Sequence, residues 1–91
     1  MKNINILGGP SFIALCAAMA DGIAAEFQVR REEDKQNVTV HLMLNSVGRE
    51  SGDGKQWILK GYVYDSRTSM NEKSFEAYYR TDTRTGHLSL K

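Results

Sequence analysis

Residues 11–27 read SFIALCAAMADGIAAEF, the one stretch long and apolar enough to anchor a core, with Asp21 its only charge before Glu26. Phe12, Leu15, Cys16, Met19, Ile23 and Phe27 recur at helical spacing, which predicts one buried face. Ala14, Ala17, Ala18, Ala24 and Ala25 fill the other faces, good helix formers that add little bulk. Gly22 is the weak point, costing about 1 kcal/mol relative to Ala in a helix interior. Ile23, Ala25, Phe27 and Val29 also alternate as a strand would. On the strength of the alanines the helix is expected to reach about Ala25.

On the N-terminal side, KNINIL (2–7) alternates polar with apolar residues, so Ile4 and Ile6 face inward from a short strand. Gly8-Gly9-Pro10 breaks that strand, and Ser11 is placed to cap the helix behind it. A glycine-rich turn before a helix can hold a phosphate on its amides. Neither nucleotide fingerprint is present, however, so a plain strand-to-helix turn is expected. Ala18-Met19-Ala20 matches the A-x-A pattern of a cleaved leader. The polar first ten residues, with Lys2 far from the apolar run, argue against one. The run is also far shorter than the ~20 residues of a membrane span.

C-terminal to the helix the period becomes two. Residues 26–33 and 38–45 read as paired strands joined by Asp34-Lys35-Gln36-Asn37. Val38, Val40, Leu42 and Leu44 share one face, while Thr39, His41 and Met43 share the other. SVGRESGDGKQ (46–56) has three glycines and mixed charges, and reads as a long mobile loop. Trp57–Asp65 is the richest strand, with Trp57, Leu59 and Val63 on one side and Ile58, Tyr62 and Tyr64 on the other. Arg67–Lys73 is a polar connection. In the strand 74–81, Phe75, Ala77 and Tyr79 lie opposite Glu76, Tyr78 and Arg80. Asp82–Gly86 reads as a hairpin loop with Gly86 at positive φ. Leu88 and Leu90 mark a last edge strand, where Lys91 discourages further pairing. The whole chain, 1–91, is one α+β domain: one N-terminal helix packed on one face of an antiparallel sheet of about five strands.

The composition excludes several classes. The chain is 41% hydrophobic and 25% charged, ordinary for a globular domain rather than a disordered one. Twelve basic residues against eleven acidic ones leave a net charge of +1, without the basic excess of a non-specific nucleic-acid binder. Cys16, the only cysteine, can form no internal disulfide, which suits a reducing compartment such as the cytoplasm. One Cys with His41 and His87 far apart in sequence does not meet zinc spacing. Asp53 lacks the other carboxylates of a calcium loop. Glu32, Glu33 and Asp34 are consecutive beside a turn, as at a solvated end. Asn37-Val38-Thr39 fits a glycosylation acceptor, which matters only in a secreted protein. As a nucleophile Cys16 would need a histidine base within reach, and its place on the core side of the helix reads as structural. No metal, cofactor or catalytic constellation is expected.

What remains is a surface. With Trp57, Leu59, Val63, Phe75, Ala77 and Tyr79 under the helix, the opposite sheet face shows Ile58, Lys60, Tyr62, Tyr64, Tyr78 and Arg80, with His41 and Met43 nearby. Tyrosine, arginine and methionine among them are types enriched in protein interfaces. The same mix can stack single-stranded bases, and it can equally be a wet sheet face. The loops at 46–56 and 82–86 fall at one end of an antiparallel meander and put Arg49, Glu50, Asp53, Lys55 and Arg84 on one rim. The reading favoured is a non-enzymatic interaction protein. It uses Lys60, Tyr62, Tyr64, Tyr78 and Arg80 with rim residues Arg49, Lys55 and Arg84 against a protein or ribonucleoprotein partner, not a membrane. A single-stranded nucleic-acid module on the same face is the alternative.

In size and layout over its whole length the chain resembles the small phage-encoded anti-CRISPR inhibitors, compact single domains without catalytic motifs. No residue motif carries the resemblance, so no family site is transferred. It implies action in the host cytoplasm: blockade of a CRISPR effector complex by occupying a protein or nucleic-acid-binding surface.

Overall fold

Six alternating segments supply six strands, and the computed structural model, which describes residues 2–31, 34–49, 55–65, 67–68 and 70–90, closes them into a barrel. The order is β1 (Lys2–Gly8), α1 (Phe12–Asp21), β2 (Ala25–Arg31), β3 (Gln36–Arg49), β4 (Gln56–Asp65), β5 (Met70–Arg80) and β6 (Thr85–Leu90). Every neighbouring pair is antiparallel. The α+β class stands, with six strands rather than about five. β6 is not an edge: it pairs with β1 from Lys2↔Leu90 to Ile6↔Gly86 as well as with β5. Closure removes both exposed edges of the sheet.

Alternation decides what the barrel holds. Ile6, Phe27, Val29, Leu42, Leu44, Leu59, Phe75, Ala77, Tyr79 and Leu88 point inward and are buried. Each large aliphatic or aromatic among them contributes roughly 1.5–3 kcal/mol relative to exposure. Two segments run on further than their composition suggests. β3 continues through Ser46–Arg49 because a bulge between Leu44 and Ser46 resets its phase. That turns Val47 towards the core and pairs Arg49 with Trp57, so four residues read as loop are strand. β5 begins at Met70, which pairs with Asp65, and so absorbs residues read as connection.

The helix stops earlier than its alanines suggest. Ser11 caps its start, accepting from the Ala14 amide at 3.2 Å. Gly22 adopts a left-handed conformation (φ 69°) and ends it. Ile23 N–H donates to the Ala18 carbonyl at 3.0 Å and Gly22 N–H to that of Met19 at 3.3 Å, a Schellman closure that leaves Ala25, Phe27 and Val29 to alternate as β2. Phe27 is therefore a barrel residue and Ile23 is exposed.

Nor does the helix lie on a sheet face. β1 leaves and β2 enters at the same end of the barrel, and α1 spans that mouth, packing on β2 and β3. Leu15 and Ala18 enter the core from above, with Met19 half-buried beside them. The lead-in is tied down by Tyr79, whose hydroxyl donates to the Pro10 carbonyl at 2.8 Å. Phe12 stacks on Trp57, ring centres 4.3 Å apart. At the opposite mouth Ile4, Val38, Val40, Val63 and Leu90 are only half-buried.

Candidate docking surface

The outward residues of β4, β5, β6 and β1 form one wall, and the registers lay it out in rows. Tyr62 stands opposite Ser74, and the next row pairs Lys60 with Glu76. Then come Ile58, Tyr78, His87 and Asn5, and last Gln56, Arg80 and Thr85. Four expected site residues, Lys60, Tyr62, Tyr78 and Arg80, share this wall. Between its last two rows runs a shallow groove of about 400 Å³, lined among others by Asn5, Leu7, Gln56, Tyr78, Arg80 and His87.

Gly86 makes the groove's floor. A Cβ there would collide with the Tyr78 carbonyl oxygen, so only glycine lets β6 sit this close to β5. The positive φ expected at Gly86 falls instead on Arg84 (φ 59°) in the 81–84 turn, because Gly86 is already strand.

The wall's charges are tied in pairs. Lys60 Nζ lies 3.8 Å from Glu76 Oε2, and the Tyr78 hydroxyl donates to Glu76 Oε1 at 3.4 Å. Arg80 grips Asp82 through Nε at 3.1 Å and a second nitrogen at 2.9 Å. That fork holds the Asp82 carboxyl below its ordinary range. Amid this balanced field Tyr62 and Tyr78 keep 39% and 38% of their surface exposed.

Tyr64 is not part of the wall's centre. It pairs with His41 near the other mouth and lines a separate depression of about 570 Å³ with Arg31, Thr39, Asp65 and Arg67. There too the charges are partnered. Arg31 forks onto Asp34, Arg67 reaches Asp65 at 3.4 Å, and His41 lies 3.3 Å from Glu26. The Arg31 hydrogen bond holds the Asp34 carboxyl low, and Asp34 in turn raises Arg31.

The rim residues gather at the helix-bearing end, as the meander requires. Arg49 ends β3, Arg84 sits in the β5–β6 turn, and the Lys55 carbonyl accepts from the Thr81 amide at 3.0 Å, joining the two connections. Glu50 and Asp53 of that rim, like Glu32 and Glu33, lie outside the described residues. Cys16 is a half-buried free thiol on α1, while His41 and His87 stand on the barrel's outside. Among the described residues no His, Cys, Asp or Glu group is arranged to hold a metal, and no helix is long and apolar enough to cross a membrane.

Sequence reasoning missed the exposed apolar residues. Ile13 is 80% exposed and Ile23 57%, with Leu7 also open. For Ile13 the signal was present: it is absent from the helical set that begins at Phe12 and Leu15, so it points away from it. No protein-family model, curated protein or solved structure matches this chain.

Proposed function

We propose that this protein is a non-enzymatic docking module whose working surface is the outer wall of β4, β5 and β6. The observation that carries this reading is the charge balance around the tyrosines. Lys60 and Arg80 each have a carboxylate partner, while Tyr62 and Tyr78 beside them keep 39% and 38% of their surface exposed. Protein interfaces combine aromatic anchors with paired polar groups in this manner. A phosphate-binding strip needs uncompensated cations, because its affinity comes from neutralising phosphates and releasing their counterions. The size and α+β layout shared with small anti-CRISPR inhibitors make a CRISPR effector complex the first partner to try.

The test has two stages. Partners are captured from host lysate with and without nuclease, or from purified effector complexes, and affinity is then measured for variants. Tyr62→Ala and Tyr78→Ala should each weaken binding about 30-fold, as a hot spot does, with melting temperature nearly unchanged. Arg49, Lys55 and Arg84 should alter association rate more than affinity. Capture lost on nuclease treatment, or tight binding to random single-stranded DNA that Lys60→Glu with Arg80→Glu abolishes, would move the wall to the nucleic-acid reading.

A further inference from the structure

α1 is apolar on every side. Its inner face closes the barrel, yet Ile13, Ala14, Ala17 and Ala20 on its outer face are exposed, and its only charge is Asp21 at the C-terminal end. A helix apolar all round is ordinarily covered. We infer that the cover is a second copy of this chain, with the two α1 helices packed antiparallel across a two-fold axis near Ala17.

Three features select this occupant. An antiparallel pair centred on Ala17 sets Ala14 against the partner's Ala20, and these methyl side chains allow the close approach that Ile13 at the margin then seals. The same register carries Asp21, which lies at the negative end of its own helix dipole, to the first turn of the partner, where free amides carry partial positive charge. Each copy supplies what the other lacks, and along the paired helices themselves no like charges meet. A lipid surface fits less well, because interfacial helices carry Lys and Arg beside their apolar face and α1 has neither. The helix is only ~15 Å long, so the buried area falls well below that of a standard interface. The dimer should be weak, with a dissociation constant on the order of 100 µM.

Sedimentation equilibrium across about 10 µM to 1 mM brackets such an affinity and should show a reversible monomer–dimer equilibrium. Ala17→Glu, at an exposed position, should keep the melting temperature and weaken dimerisation at least ~10-fold by burying like charges on the axis. Asp21→Lys should weaken it about two- to five-fold. In a Cys16→Ser background, Ala17→Cys should oxidise to a disulfide-linked dimer, which requires the two positions to face each other within ~7 Å. A protein that stays monomeric at the highest concentration overturns the inference. So does a dimer that Ala17→Glu leaves intact, and so does a monomer that instead binds phosphatidylcholine–phosphatidylserine vesicles. None of these outcomes bears on the wall of β4–β6, so the two proposals fail separately.

Discussion

The two mouths of the barrel are closed by different means. At one, a ten-residue helix lies across the opening and seals it: Leu15 is fully buried, and Phe27 and Tyr79 beneath it meet edge to face at 5.2 Å. At the other, no helix intervenes among the described residues, and Ile4, Val38, Val40, Val63 and Leu90 stay half-buried. The sealed mouth holds the fully buried Leu15, Phe27 and Tyr79, but its cover has a second side, and Ile13 and Ile23 are exposed there. Sealing a small barrel with an apolar helix moves the hydrophobic surface outward rather than removing it.

Substitutions at the two ends should therefore differ in size. Leu15→Ala should have the largest effect, destabilising by ~2–5 kcal/mol through the cavity it leaves, measured by denaturant unfolding. A loss under half of that would mean the helix can settle into the mouth and is not a rigid seal.

Tyr79→Phe comes next. It removes the hydroxyl that holds Pro10 and leaves that carbonyl unsatisfied, at ~1–3 kcal/mol. It should also change the alkaline limit. Burial pushes the Tyr79 phenol from 10.0 up to about 12, against a smaller opposing pull from Arg84. The folded state thus keeps a proton that the unfolded chain gives up. This stability is fully present below pH 10.0 and is lost as pH rises towards about 12. Tyr79→Phe should flatten the decline, and an unchanged alkaline profile would assign it to other groups.

Ser11→Ala should cost ~1 kcal/mol by freeing the Ala14 amide from its cap. Val40→Ala, at the open mouth, should have the smallest effect, under about 1 kcal/mol, because the side chain is already half in water. A larger loss at Val40 than at Ser11 would show that the open mouth is closed in solution.

Much of this was legible in the chain. The inward sets of β3 and β5 follow from period-two alternation, and the Ser11 cap from its place after Gly8-Gly9-Pro10. What escaped has physical causes. The end of α1 was decided by one left-handed glycine that overrides the alanines' propensity, and the competing alternation of Ala25, Phe27 and Val29 was the better guide. Ser46–Arg49 looked like loop because a bulge interrupts its phase. Closure of β6 on β1 is set by twist and register over all six strands, and no local pattern encodes it. Of the candidate surface, the residue types and their face were legible. The Lys60–Glu76 ion pair and the pairing of Tyr64 with His41 were not, since both depend on which strands become neighbours.

The pairing of β1 with β6 has a mechanical corollary. Lys2 and Leu90 sit side by side at one end of an antiparallel ladder that continues to Ile6 and Gly86. A force applied through those two residues pulls across the strands rather than along them, so the rungs break one at a time instead of sharing the load. Pulled this way the barrel should unzip at low force, strand β6 first. Held instead through β3 and β5, whose ladders with β4 would be loaded along their length, it should resist much more strongly.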